Sequence, residues 1–360
     1  MVNKFRELNI GGLIAKVPII QGGMGVGISL SGLASAVANE GGIGVIATAG
    51  IGMPEVDFAK NFIEANNRAL RKEIQKARSM TNGIIGVNIM VALSNYADFV
   101  LTSIEEGIDI IFSGAGLPLN LPKYLPKGNT KTKLVPIVSS GKGAALIARR
   151  WIEKYNYIPD AFVVEGPKAG GHLGFKKEQL SDENFSLEKL VQDVVEKIKP
   201  FEIKHNRKIP VIAGGGIYTG KDIHDMIELG ASGVQMATRF VTTTECDASD
   251  VFKDIYVKAT KHDIQIIDSP VGMPGRALKN QFVIDVKKGE KKPFKCPYHC
   301  IVTCDFKNVP YCIALALINA KKGDMDNGFA FAGENVYKND KIISVKELVE
   351  TLSEEYNAAL

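Results

Sequence analysis

Short, nearly continuous apolar runs recur along the first 240 residues, and each is followed by a segment that alternates apolar and charged positions with helical spacing. The runs are "VPIIQ" from Val17, "IGVIAT" from Ile43, "IIGVNIMV" from Ile84, "IDIIFS" from Ile108, "LVPIVS" from Leu134, "DAFVVEG" from Asp160, "IPVIAGG" from Ile209 and "GVQMATRF" from Gly233. Strands buried on one face alternate apolar and polar residues; unbroken runs suit parallel strands covered on both faces.

Helices are predicted at "LSGLASAVANEGG", "PEVDFAKNFIEANNRALRKEIQKARS", "YADFVLTSIEEG", "GKGAALIARRWIEKY", "LEKLVQDVVEKIKPFEIKH" and "GKDIHDMIELGA". The prolines of "GAGLPLNLPKYLPKG" leave room only for a short, irregular helix. Eight βα units predict a (β/α)8 TIM barrel, with a doubly wound open sheet as the alternative. After Phe240 the rhythm changes. "ASDVFKDIYVKATKH" predicts a helix and "DIQIIDSPVGMPGRALKNQFV" an irregular stretch. "KKGEKKPFK" predicts a solvated connector, and "ISVKELVETLSEEY" a final helix. We expect a barrel over residues 1–240, a smaller substrate-side or lid domain over 241–343 at the barrel mouth, and a C-terminal helix over 344–360 packing back on the barrel.

Composition adds exclusions. Lys plus Arg number 44 against 40 Asp plus Glu. With no dense basic block beside aromatics, a nucleic-acid partner is not expected. The N-terminus lacks a signal-type apolar core and no run reaches membrane-spanning length, so no membrane association and a cytoplasmic location are expected. The five cysteines are odd in number and suggest reduced thiols. Cys296, Cys300, Cys304 and Cys312 are spaced four, four and eight apart, and the first three would share a face if the segment were helical. That spacing matches no standard metal or iron–sulfur motif, and no H-x-x-x-H or H-E-x-x-H pair exists; no metal is expected.

Barrel active sites form at the C-terminal ends of the strands, which here are glycine-rich: "QGGMGVG" after the first, "SGAG" after the fourth, "EGPKAGGHLG" after the sixth and "GGGI" after the seventh. The glycines after strand seven, with a helix start at "YTGKD", would leave backbone N–H groups facing an anion beside Thr238 on strand eight, as in a barrel phosphate site. "GGMGVG" lacks Rossmann spacing, and there is no P-loop. His172, alone among glycines at a strand end, is the candidate proton acceptor. His205, His224 and His262 are expected to be exposed.

The stretches "PIIQGGMGVGIS", "GGIGVIA", "GVNIMV", "EGPKAGGHLG", "PVIAGGGI" and "GVQMATRFVTT", with weaker support from "GRALKNQF", resemble the nitronate monooxygenase family, whose superfamily includes flavin-dependent enoyl-acyl-carrier-protein reductases. The likeness runs in order from Pro18 to Phe282. It implies an FMN-containing barrel. The phosphate would meet Gly215, Gly216 and the strand end Gln235, Met236, Ala237 and Thr238. The ring and ribityl chain would contact Met24, Asn88, Glu165 and Gly170, and His172 would face the substrate. The implied activity is oxidative denitrification of alkyl nitronates with O2. Two alternatives stand beside it: reduction of an enoyl thioester by NAD(P)H through FMN, and a non-catalytic flavin-binding subunit of a biosynthetic complex. The long second helical region and the cysteine-bearing segment depart from compact reductases and favour the monooxygenase.

Overall fold

The structure is a computed structural model, described here for residues 5–129, 131–296 and 298–360. All eight apolar runs are strands of one closed parallel barrel. The first elements among the described residues form a hairpin, β1 (Leu8–Ile10) and β2 (Leu13–Ala15). The barrel strands are β3 (Ile19–Gln21), β4 (Ile43–Ala47), β5 (Ile84–Met90), β6 (Ile110–Gly114), β7 (Lys133–Val138), β8 (Phe162–Glu165), β10 (Val211–Gly214) and β11 (Gly233–Met236); β9 (Gly171–His172) lies outside the barrel. Register pairs Val234 with Ile19 and Gly214 with Glu165, so β11 returns to β3 and the ring closes. An open sheet is thereby excluded.

The reason for the unbroken runs is visible in the packing. Ile20, Ile43, Ile110, Val135, Val163 and Ile212 fill the barrel interior, and Leu8 and Ile10 of the hairpin plug its N-terminal end. Their neighbours Ile19, Ile46, Ile85, Ile111, Leu134 and Phe162 face the helical ring. That ring is α1 (Ser31–Asn39), α2 (Phe62–Met80), α3 (Tyr96–Glu105), α4 (Gly141–Tyr155), α5 (Leu187–His205) and α6 (Gly220–Glu228). The proline-rich stretch after β6 holds only a short 3-10 turn, Leu121–Tyr124. α2 starts later than its charge pattern suggested, because Glu55 and Asp57 turn back in a loop to bind Arg68 at 2.8 and 2.5 Å.

Beyond β11 come α7 (Thr238–Val241), α8 (Asp250–Lys258), β12 (Ile264–Asp268), β13 (Pro274–Leu278), α9 (Gln281–Lys287), α10 (Ile313–Lys321) and α11 (Val345–Ala359). The stretch expected to be irregular is an antiparallel hairpin; its Pro270 and Gly272 occupy the turn rather than interrupting strands. Among the described residues from Cys296 to Cys312 there is no helix, so the condition for a shared cysteine face is not met. Asp247 reaches 217 residues back to accept hydrogen bonds from the N–H groups of Leu30, Gly32 and Leu33, capping α1 from the far end of the chain. α11 lies on α6: a Cβ on Gly220 would come within 2.1 Å of the Leu352 carbonyl oxygen, so only glycine permits this crossing. No helix among the described residues is long and apolar enough to cross a membrane.

Candidate active site

One cavity of about 320 Å³ opens at the C-terminal ends of the barrel strands. Met24, Asn88, Glu165, Gly170, His172, Gly215, Gly216, Gln235, Met236, Ala237 and Thr238 all line it. Its volume falls at the lower end of the range of small-molecule sites.

Backbone donors gather at the ends of β10 and β11. Gly215 and Gly216 have φ of +102° and +89°, and the N–H groups of Gly215, Gly216, Ala237 and Thr238 find no acceptor among the described residues. Four neighbouring donors without partners form a cradle that a phosphate satisfies. The helix start at "YTGKD" does not contribute as its sequence suggested. Asp222 of α6 already accepts from Tyr218 and Thr219 at 2.9 and 2.8 Å. Lys168, exposed at the cavity wall beside Gly216, adds positive charge. Asn335 donates to the Gly216 carbonyl at 2.6 Å, and Thr238 Oγ1 accepts from Gly333 N at 2.9 Å, so a late segment of the chain pins both turns.

The side-chain amides of Asn88 and Gln235 make no hydrogen bond among the described residues and are available to a ligand. Glu165, at the end of β8, has neither a cation nor a hydrogen-bond donor beside it, and burial alone pushes its carboxyl up to about 7. A Cβ on Gly23 would lie 2.4 Å from Asn88 Cβ, so the glycine turn after β3 is what lets that loop close over β5.

The loop around His172 is held from outside the barrel. Gly171 pairs with Arg276 and His172 with Gly275, which makes β9 the third strand of the β12–β13 sheet. His172 Nε2 is 2.7 Å from Ser269 Oγ, and its ring meets Phe331 edge-to-face at 5.0 Å. Burial depresses its pKa to about 4, so the imidazole is neutral at physiological pH. Arg276, 5% exposed, donates to the carbonyls of Pro167 and Ala169 at 2.5 and 2.7 Å. The loop glycines have separate causes. Gly171 has φ +80° and open space around it, whereas a Cβ on Gly170 would lie 2.6 Å from the Ala332–Gly333 backbone.

Sequence reasoning missed Ser269, Arg276, Phe331, Asn335 and Lys168; "GRALKNQF", which holds Arg276, entered only as weaker support for the family resemblance. Of the other histidines, His262 is exposed, but His224 is half-buried against Tyr356 and His205 is half-buried with no partner for Nε2. Both were expected to be exposed; each instead faces inward from a helix. Among the described residues no three His, Cys, Asp or Glu side chains are arranged to hold a metal ion.

Comparison with known proteins agrees with this geometry. The chain is 27% identical over 274 residues to the (3aS,4S,5R,7aS)-5-hydroxy-7a-methyl-1-oxo-octahydro-1H-indene-4-carboxyl-CoA dehydrogenase of Mycobacterium tuberculosis; the match spans 76% of this chain but only 66% of that protein. It is 26% identical over 306 residues to a probable nitronate monooxygenase of Staphylococcus aureus, covering 77% and 79% of the two chains. The FabK structure from Thermotoga maritima superposes with a TM-score of 0.72 at 28% identity, over 96% of this chain and 94% of that one. The nitroalkane oxidase of Streptomyces ansochromogenes shares the fold, with a TM-score of 0.72, 21% identity and coverage of 96% and 97%. The nitronate monooxygenase family model matches residues 7–355. A closed eight-stranded barrel, matched over nearly its whole length by that model, places this chain in the nitronate monooxygenase family of flavin-dependent oxidoreductases.

Proposed function

We propose that the protein is an FMN-dependent nitronate monooxygenase that converts a small alkyl nitronate, with O2, to a carbonyl compound and nitrite. The observation that carries this reading is the neutral imidazole of His172, fixed by Ser269 in the wall of the cavity that contains the anion cradle.

The residues present fit FMN. The N–H groups of Gly215, Gly216, Ala237 and Thr238 would hold its phosphate, with Lys168 supplying charge. Gln235 and Met236 belong to the same strand end, and Met24, Asn88, Glu165 and Gly170 would contact the ribityl chain and ring. When bound, FMN would accept the substrate's electrons and pass them to oxygen. With Nε2–H donated to Ser269 Oγ, Nδ1 keeps its lone pair and can take the α-proton of a nitroalkane. A preformed nitronate needs no such step, and there the ring orients the substrate. Phe331 packs edge-to-face against the ring and would help fix its plane. A cytoplasmic location accompanies this reading and is supported by the unpaired state of all five cysteines.

A second reading, reduction of an enoyl thioester by NAD(P)H, is favoured by the 28% identity to FabK over 96% of the chain. Anaerobic mixing decides between them. Under the first reading propionate 3-nitronate bleaches the flavin, and admitting oxygen releases nitrite. Under the second, NADH or NADPH bleaches it and the nitronate does not. Bleaching by neither points to a non-catalytic flavin protein.

A further inference from the structure

The cavity has an apolar compartment that the proposed chemistry does not use. The anion cradle follows β10 and β11. Four places round the ring, directly opposite β10, β5 leads into α3. There the cavity wall includes Phe58, Phe62, Leu93, Phe99, Tyr298 and Ile301. Tyr298 stacks on Phe62 at 5.2 Å and meets Phe58 edge-on at 4.9 Å. The strap that carries Tyr298 is fastened to the end of β5: Ser94 N donates to the Cys300 carbonyl at 3.1 Å, and Val302 N to the Ala92 carbonyl at 2.9 Å.

The polar groups of this wall include the Tyr298 phenol and the Asn66 amide, which already pairs with Gly52 N and the Phe62 carbonyl. Asn95 lines the cavity and is only 2% exposed, yet neither its Oδ1 nor its Nδ2 finds a partner among the described residues. It occupies the N-cap of α3, where an asparagine ordinarily accepts from the first N–H groups of the helix; here it makes no capping bond. A buried amide left unpaired costs stability, and native proteins pair nearly all such groups. Its donor and acceptor are both open toward a ligand. A hydroxyl satisfies both at once, accepting from Nδ2 and donating to Oδ1. An ionised group would meet no counter-charge among these aromatic and aliphatic walls.

We infer that this compartment is a substrate subsite for an aliphatic arm bearing a hydroxyl, with Asn95 as the residue that reads the hydroxyl. The inference rests on the reading that a small anion binds near His172, and it adds that the substrate is longer than a simple nitronate and is functionalised at the far end.

The test uses the flavin-loaded protein and does not depend on turnover. Carboxylates stand in for the nitronate anion. A homologous series of straight-chain carboxylates is titrated beside the matching ω-hydroxycarboxylates, and Kd is read from the change in the bound flavin's absorbance. At one chain length the hydroxylated member is expected to bind about tenfold tighter than its partner or better. In Asn95→Leu, which removes the unpaired amide and should melt no lower than the parent, that preference is expected to reverse while flavin stays bound. Equal Kd values for the pairs at every length would overturn the inference, as for a water-filled compartment. Loss of flavin from Asn95→Leu would also overturn it, by assigning Asn95 to the cofactor. A preserved hydroxyl preference in a protein whose flavin no nitronate bleaches would leave the subsite standing and remove the nitronate reading alone.

Discussion

His172 Nε2 and Ser269 Oγ lie 2.7 Å apart across 97 residues of sequence, joining a loop after the sixth barrel strand to the turn of a hairpin outside the barrel. The contact orients the ring and occupies one nitrogen. Under the proposed function the other nitrogen would face the substrate, and the hydroxyl would act through the imidazole.

His172→Ala is expected to keep fold and flavin and to lower nitroalkane turnover by about 10²-fold or more. The loss with a preformed nitronate should be smaller, since its α-proton is already gone. Ser269→Ala should lower nitroalkane turnover by roughly tenfold by freeing the ring. Nitrite release at fixed flavin occupancy measures both. Unchanged turnover of every active substrate in His172→Ala would remove the imidazole from the mechanism.

Gly216→Asp should abolish flavin retention. Its φ of +89° disfavours any side chain, and the new Cβ would sit 2.9 Å from Lys168 Cβ. The carboxylate would also repel a phosphate. Gly216→Ala carries the strain without the charge and should retain more flavin than the aspartate variant. Acid extraction of the parent should release FMN; release of FAD, or a colourless protein that FMN does not reconstitute, would refute the cofactor assignment.

Arg276→Met should destabilise the fold by about 3 kcal/mol, because it strips two buried carbonyls, Pro167 O and Ala169 O, of a charged donor. Denaturant unfolding at constant flavin occupancy reads the effect. Arg276→Lys should recover little of it, since an ammonium lacks the fork of donors that spans both carbonyls.

The barrel was legible because burial on both faces writes a strand as an unbroken apolar run, which local sequence shows directly. That Asn88 and Gln235 line the cavity at the strand ends was legible for the same reason: once the strands are located, the barrel fixes which end opens to the cavity. What escaped is long-range. Ser269 reaches His172 only through the pairing of β9 with β13, and Asn335 reaches Gly216 across 119 residues. The helix start at "YTGKD" misled because Asp222, three residues past the cap at Thr219, satisfies the N–H groups that the pattern left open. The cysteine spacing left open whether the segment is helical; its described residues from Cys296 carry no helix until α10 begins at Ile313.

The thiols should be sluggish. Burial is the first cause of the rise of Cys300 to about 12, reinforced by Cys312, Cys296 and Cys304, and burial pushes Cys246 up to about 11. Since the thiolate is the nucleophile, both should alkylate with iodoacetamide at neutral pH about 10²-fold more slowly than a free thiol. Peptide mass spectrometry over time measures this. The same preparation should contain no stoichiometric zinc or iron; about one tightly held metal per chain would contradict the arrangement of the cysteines and histidines described above.

Glu165 and His172 make opposite contributions to stability as pH changes, and they overlap enough to mask one another in the flavin-free protein. The folded-state pKa of Glu165 is raised from 4.5 to about 7, so between those values the folded protein holds a proton the unfolded chain has released, and stability falls as pH rises. The folded-state pKa of His172 is lowered from 6.5 to about 4, so over that window the unfolded chain holds the extra proton, and stability rises with pH. Removing one group should unmask the other. Relative to the parent, Glu165→Gln should gain stability progressively from about pH 4.5 to 7, and His172→Gln should gain it as pH falls from about 6.5 to 4. Thermal melts of the three flavin-free proteins across pH 4 to 8 give the two differences. Parallel curves for Glu165→Gln and the parent would show that the carboxyl ionises normally in the fold and that burial at the end of β8 does not perturb it.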